Sequence, residues 1–207
     1  GMLGQLVFAR AQLTCWYPEI PGAWRQDPKL SGGGALMDLG THGIDLLRYL
    51  IGEVHEVLAL VDTITFRYPV DDTSTVVLKF ACGAHGGVDN CFNIPDEAAQ
   101  NLLEVYGTKG AVIARYTIGQ TPGGDMRTYF IKETKDYQAT QPRAEQQAVA
   151  EEIMVEPVNM YKAEIEHFSE CILEDKEPLI GGLEGLRALQ ITLAAYESAA
   201  TGRAVKV

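Results

Sequence analysis

The sequence predicts an α+β fold: one large, mainly antiparallel sheet with its helices gathered on one face. Three observations lead there. Between residues 54 and 134 run six short segments rich in β-branched and aromatic residues, separated by turn residues. The gaps between them are too short for crossover helices, which favours antiparallel neighbours. Two amphipathic segments then close the chain, and such helices bury their apolar stripe against a sheet.

Each element follows in order. "QLVFARAQL", residues 5–13, alternates as a strand does, and residues 15–28, rich in aromatics and proline, read as an irregular loop. Residues 30–52, "LSGGGALMDLGTHGIDLLRYLIG", read as a helix closed by Gly52 just past its end. The six strand candidates are 54–66, 73–80, 86–94, 101–107, 110–116 and 126–134, with turn signals at Asp71-Asp72 and Gly107-Thr108-Lys109-Gly110. Residues 134–156 are Gln/Ala/Glu-rich without clear periodicity and read as an excursion. In the first closing helix, 158–175, Tyr161, Ile165, Phe168 and Ile172 share a face; in the second, Leu186, Leu189, Leu193 and Ala200 do. Both faces are expected on the sheet. The chain from Met2 to Val207 reads as a single domain, with Gly1 having the form of a residue left by a cleaved tag.

The 207 residues, 46% of them hydrophobic, suffice for a real core. A net charge of -11 without a basic patch argues against nucleic acid or an anionic membrane as partner. No apolar run would span a bilayer and no signal-peptide pattern opens the chain, so a cytoplasmic protein is expected. Cys15, Cys82, Cys91 and Cys171 form no ligand or redox spacing; they are expected to be reduced and mostly buried, and no metal site is expected.

Chemistry concentrates on the 30–52 helix. At 100° per residue Asp38, His42 and Asp45 fall in one stripe, continued by Tyr49. Ala35, Leu39, Gly43, Leu46 and Leu50 form an apolar arc on one side of it, and Met37, Ile44 and Ile51 a second arc on the other. Two arcs predict a helix held between two bodies, with the polar stripe at their junction. A carboxylate one turn from an imidazole can raise its basicity and hold its ring, as a general base requires. Taken alone, such a pair is more often a helix-surface ion pair or a satisfied core histidine. The three glycines are either a loop or a place where another backbone or a ligand approaches the helix start, whose free N–H groups favour negative charge. His55, His85 and His167 lack partners at ligand spacing and read as structural. Trp16, Tyr17, Trp24 and Arg25 suit stacking on a polyhydroxylated ligand, or anchoring of their own loop.

"GGGALMDLGTHGIDLLRYLIG" resembles the signature of the C-terminal domain of the glucose-fructose oxidoreductase and inositol dehydrogenase (Gfo/Idh/MocA) family: a glycine pair or triplet, then D-x-G-x-H-x-x-D. "LGQLVFARAQL", "LLEVYGTKGAVI" and the two closing helices agree with it. The resemblance implies the C-terminal sheet domain of a glyceraldehyde-3-phosphate-dehydrogenase-like architecture, whose open sheet face mediates dimers or tetramers. It implies that the motif helix lines a cleft with an N-terminal Rossmann domain that binds NAD or NADP. By match to the motif His42 is the acid/base toward a substrate hydroxyl, and Asp38 orients and binds the same region. Thr41, Asp45, Trp24 and Arg25 are candidates for contact with a sugar, sugar acid or cyclitol.

One departure limits this. The family's G-x-G-x-x-G and E-K-P motifs, the latter carrying its catalytic lysine, do not occur, and Lys176-Glu177-Pro178 only scrambles the second. The expectation is therefore the substrate-binding and oligomerisation half of an oxidoreductase without its Rossmann half, which binds no dinucleotide and turns nothing over by itself. The alternative is a stand-alone, non-catalytic ligand-binding or assembly module.

Overall fold

A computed structural model describes residues 1–131, 148–154 and 156–207. Among the described residues nine strands form one sheet: β1 (Leu6–Thr14), β2 (Val54–Asp62), β3 (Thr73–Phe80), β4 (His85–Cys91), β5 (Leu103–Gly107), β6 (Gly110–Arg115), β7 (Asp125–Ile131), β8 (Ala148–Ile153) and β9 (Val205–Lys206). Their order is β8-β7-β6-β5-β1-β4-β3-β2-β9. All neighbours are antiparallel except β1 and β4, which run parallel from Phe8↔His85 to Thr14↔Cys91. That one parallel pair is where the chain leaves β1, lays a helix over the sheet and returns by the β2–β4 meander.

The helices are α1 (Pro28–Ser31), α2 (Thr41–Ile51), α3 (Met160–Leu173) and α4 (Gly182–Thr201). Strand alternation directs Ala9, Ala11, Val57, Ala59, Val76, Leu78 and Val88 to one face, where they form the core with Leu36, Ile44, Leu47, Ile191 and Ala195 from the α2 and α4 side. Small residues on β1 let α2 lie close. A Cβ on Gly43 would come 2.8 Å from Val88 Cγ1 and 3.3 Å from Ala11 Cβ. A second, smaller cluster of Ala35, Tyr68, Val70 and Phe92 sits at the end of the sheet under the residue 15–28 loop.

Several expectations need correcting. The helix expected over 30–52 is three pieces: α1 ends at Ser31 with Gly32 left-handed at φ 76°, and a π-turn over Leu36–Gly40 leads into α2. The cysteines are free as expected but not mostly buried: Cys171 is buried, Cys15 and Cys91 are intermediate and Cys82 is exposed.

The closing helices differ most from expectation. Tyr161, Ile165, Phe168 and Ile172 of α3 are all exposed, between 54% and 67%, and only Cys171 of that helix is buried. Helix α4 does lie on β2 and against α2, but through Ala188, Ile191, Thr192, Ala194, Ala195 and Ser198. Its Leu186, Leu189 and Leu193 point away from the sheet. Small residues won the sheet face because they permit close approach; the larger leucines were the stronger periodic signal and face outward.

At the edges, β8 falls inside the expected excursion at 134–156, of which 134–147 and 155 lie outside the described residues. Its Glu151-Glu152 and two alanines carry little strand propensity, and pairing with β7 supplies the order instead. The two-residue β9 closes the other edge on Glu56 and Val57.

Candidate active site

The segment joining α1 to α2 is held by a residue from the β2–β3 connection. Asp71, buried, accepts the Gly34 N–H on Oδ1 and the Leu36 N–H on Oδ2, both at 2.8 Å, while its backbone carbonyl accepts the Ala35 N–H at 2.8 Å. Three successive N–H groups at the start of the motif helix are thus taken by one aspartate. The glycines make this possible, since a Cβ on Gly34 would lie 1.8 Å from the Asp71 carbonyl oxygen and one on Gly33 2.1 Å from Tyr196 Oη. The close approach to the glycines is by the chain's own backbone, and the negative charge at the helix start is its own carboxylate.

The neighbouring Asp72, also buried, does a parallel job on the other side of the turn. Its carboxylate accepts the N–H groups of Ile64, Thr65 and Phe66 and the Thr73 hydroxyl, at 2.8–2.9 Å. Burial alone would raise its pKa; those backbone and hydroxyl donors outweigh burial and hold it below the usual carboxylate value. In the sequence, Asp71-Asp72 carries only a turn signal. Two adjacent acids in a turn, facing a glycine triplet elsewhere, were the available signal.

Asp38 sits in the π-turn, and its Oδ1 accepts the Arg25 Nε–H at 3.0 Å. The hydrogen bond to Asp38 is the chief reason that the Arg25 guanidinium is held above its ordinary pKa. Arg25 in turn stacks over the Trp24 ring, 4.6 Å from its centroid. The structure therefore brings Asp38, Arg25 and Trp24 together. It does not form the expected Asp38–His42 pair: His42 is exposed on the first turn of α2, with no hydrogen bond from the described residues. The Asp38 carboxylate is instead engaged by Arg25.

Thr41 donates its hydroxyl to the Met37 carbonyl at 2.9 Å, satisfying an acceptor within the same turn. Asp45 faces Arg48, 3.9 Å away, and Arg48 pairs at 2.7 Å with Glu53 beyond the helix end. Asp45 Oδ1 and Arg48 Nε are buried without hydrogen-bond partners among the described residues.

The two apolar arcs predicted two flanking bodies. Gly43 from one arc and Ile44 from the other are buried, with Leu47 beside them, and α2 packs on β1 and on α4. Both bodies thus belong to this chain, while His42, Tyr49 and Leu50 remain exposed.

In the 15–28 loop the two uses divided by residue. Trp16 meets Phe66 edge-on at 5.3 Å and Tyr17 packs 5.1 Å from Phe92, so these anchor the loop. Trp24 and Arg25 stay accessible. An open hollow of about 540 Å³ is lined by Trp24, Gln26, Leu30, Arg67 and Tyr68, though neither Asp38 nor His42 lines it. Cys15, half-buried nearby, has its thiol pushed up to about 11 by burial, then by Asp96 and Asp38, so it stays protonated at neutral pH.

At Gly34–Leu36 the glycine-rich segment has neither room nor a free N–H for a phosphate, because Asp71 occupies both. Among the described residues no cluster of three or more His, Cys, Asp or Glu side chains could hold a metal, and no helix is long and apolar enough to cross a membrane.

A large, mainly antiparallel sheet with its covering helix is the fold of the C-terminal portion of Gfo/Idh/MocA oxidoreductases. The description "GFO/IDH/MocA C-terminal domain" matches residues 1–113, more than half of the chain, and the chain belongs to that family. It is 25% identical over its whole length to a 1,5-anhydro-D-fructose reductase of Ensifer adhaerens, covering 57% of that protein. A levoglucosan dehydrogenase of Pseudarthrobacter phenanthrenivorans is 30% identical over 56% of this chain and 36% of its own. Among solved structures, an aldose-aldose oxidoreductase from Caulobacter crescentus complexed with glycerol superposes with a TM-score of 0.80 at 30% identity, over 100% of this chain and 57% of that one. The fold also matches levoglucosan dehydrogenase in complex with NADH and levoglucosan, at a TM-score of 0.81 and 24% identity, over 100% of this chain and 60% of that one. The chain thus spans about half the length of the proteins it resembles, in their C-terminal portion.

Proposed function

We propose that this chain is the single-domain substrate-binding and oligomerisation part of a cytoplasmic NAD(P)-dependent oxidoreductase acting on a hydroxyl of a sugar, sugar acid or cyclitol. The observation that carries the reading is the motif segment: His42 stands exposed, two residues past a π-turn whose Asp38 is fixed by Arg25. His42 accepts the proton of the substrate hydroxyl, and Asp38 and Arg25 orient the carbinol through hydrogen bonds. Trp24 offers an aromatic face to a sugar ring, Thr41 and Asp45 border the same helix, and NAD or NADP, held by a dinucleotide-binding half, supplies the hydride acceptor.

The surface supports a chain that works with partners. The exposed apolar faces of α3 and α4 suit burial against that second half, and the open sheet face, with Phe8, Leu58, Leu60 and Val77 exposed, suits a second copy of the chain in a dimer or tetramer.

The test is His42→Ala in a polypeptide that joins this chain to its dinucleotide-binding half. Turnover of sugar or cyclitol substrates is expected to fall at least about 10²-fold. Unchanged turnover would reject the acid/base assignment, and light scattering of the 207-residue chain alone checks its assembly.

A further inference from the structure

Asp71 and Tyr196 take the backbone N–H groups of Gly34, Ala35 and Leu36 into one hydrogen-bonded cluster at the start of the motif helix. Tyr196, on α4, donates its hydroxyl to Asp71 Oδ1 at 2.7 Å. The same oxygen accepts the Gly34 N–H, the other accepts the Leu36 N–H, and the Asp71 carbonyl accepts the Ala35 N–H. Asp38 is tied back to this point by its own N–H, which donates to the Gly34 carbonyl at 2.9 Å. Burial, then the nearby Asp71 charge, pushes the Tyr196 phenol well above its ordinary value, so it remains a donor across the working pH range.

We infer that Asp71 and Tyr196 are positioning residues for the proposed reaction: together they set where the π-turn begins, and so where Asp38, its partner Arg25, and His42 stand. The inference rests on the acid/base reading of Asp38 and His42. Three elements, the β2–β3 connection, the motif segment and α4, meet at one carboxylate, and the backbone there has no slack. A Cβ on either Gly33 or Gly34 would collide with this pair. Ordinary N-capping uses the residue just before the helix. Here the cap comes from 35 residues further along the chain, which couples the place of the helix start to the rest of the fold.

The pair can be tested on the 207-residue chain by NMR, since its four histidines make imidazole signals assignable and the Arg25 Nε–H is tied to Asp38. Tyr196→Phe removes one hydroxyl and leaves the ring; Asp71→Asn removes the charge. Both are expected to shift the Arg25 Nε–H and His42 ring signals while His55 and His85 stay in place. Val57→Ala, a core change remote from the turn, is expected to lower stability without moving either signal. Arg25 and His42 signals unchanged in folded Tyr196→Phe would overturn the inference, whether or not Asp71→Asn folds. In the joined polypeptide Tyr196→Phe is expected to lower kcat by about 10-fold or more with KM little changed, as displacement of a reacting group does. If His42→Ala spares turnover, the acid/base reading fails while the spectra still decide the coupling.

Discussion

Helices α2 and α3 look alike in the sequence and end differently in the structure. Each carries apolar residues at helical spacing beside charged ones. In α2 the apolar side is buried: Gly43, Ile44 and Leu47 lie between β1 and α4, and a glycine cap at Gly52 closes the helix onto the Arg48 carbonyl. In α3 the apolar side faces outward, and the helix packs extensively against no other described element. What holds α3 is local: Asn159 caps its start by accepting the Lys162 N–H, Val158 donates to the Pro122 carbonyl, and His167 accepts the Leu179 N–H. Amphipathic periodicity therefore says that a face is built to be covered, and not by what. One helix finds its cover within the chain. The other presents it outward.

The largest break in that comparison is expected at Leu47, which is fully buried. Leu47→Ala should cost about 2–5 kcal/mol in urea unfolding, the range for truncating a buried leucine. Next comes Gly43, where an added methyl would meet Val88 at 2.8 Å. Gly43→Ala should cost about 1–3 kcal/mol through overpacking, despite alanine's better helix propensity. A stabilised Gly43→Ala variant would show that α2 is not seated on β4 as described.

The part of the α2 region outside the helix gives a pH signature. The Asp72 carboxylate has a folded pKa below its unfolded one, so its stabilising contribution is complete above the unfolded value of about 3.9 and is lost as pH falls through the folded value. Asp72→Asn should cost about 1.5 kcal/mol at neutral pH, the lower end for hydrogen bonds to a charged group. It should also flatten the loss of stability below about pH 4. Equal acid sensitivity in both proteins would remove Asp72 from that role.

These contrasts mark how far the sequence could be read. The antiparallel sheet was legible because short β-branched runs lie between turn residues, as in residues 73–80, which form β3 over that same span. Strand β8 was not, because "AVAEEI" has no strand signature and is ordered by β7 beside it. The motif helix was legible in place but not in phase. Nothing in "LMDLG" announces a π-turn, since the turn is set by where Asp71 grips the preceding N–H groups, through contacts 35 residues and more away in sequence. Asp38 and His42 share a stripe in the sequence, whereas in the structure Asp38 meets Arg25. The outward turn of α4's leucines was hidden for a related reason. Periodicity weighs residue size and apolarity, whereas close helix-on-sheet packing rewards Ala188, Ala195 and Ser198.

The smallest expected effect sharpens the comparison most. Ile165 is 66% exposed in the middle of the α3 apolar face. Ile165→Ser in this chain should change stability by no more than about 0.5 kcal/mol, as surface substitutions do. Should α3 be covered when the chain is joined to a dinucleotide-binding half, the same substitution there removes a buried isoleucine and costs about 2 kcal/mol or more, because the side chain then leaves water on folding. Leu47→Ala offers the internal reference, since its surroundings are complete within the chain and its cost should be the same in both forms. A ratio of effects that grows for Ile165 and holds for Leu47 identifies α3 as a face built for a second body. Equal small effects of Ile165→Ser in both forms would leave α3 a solvent-facing helix, and the apolar stripe read from its sequence would have no structural counterpart.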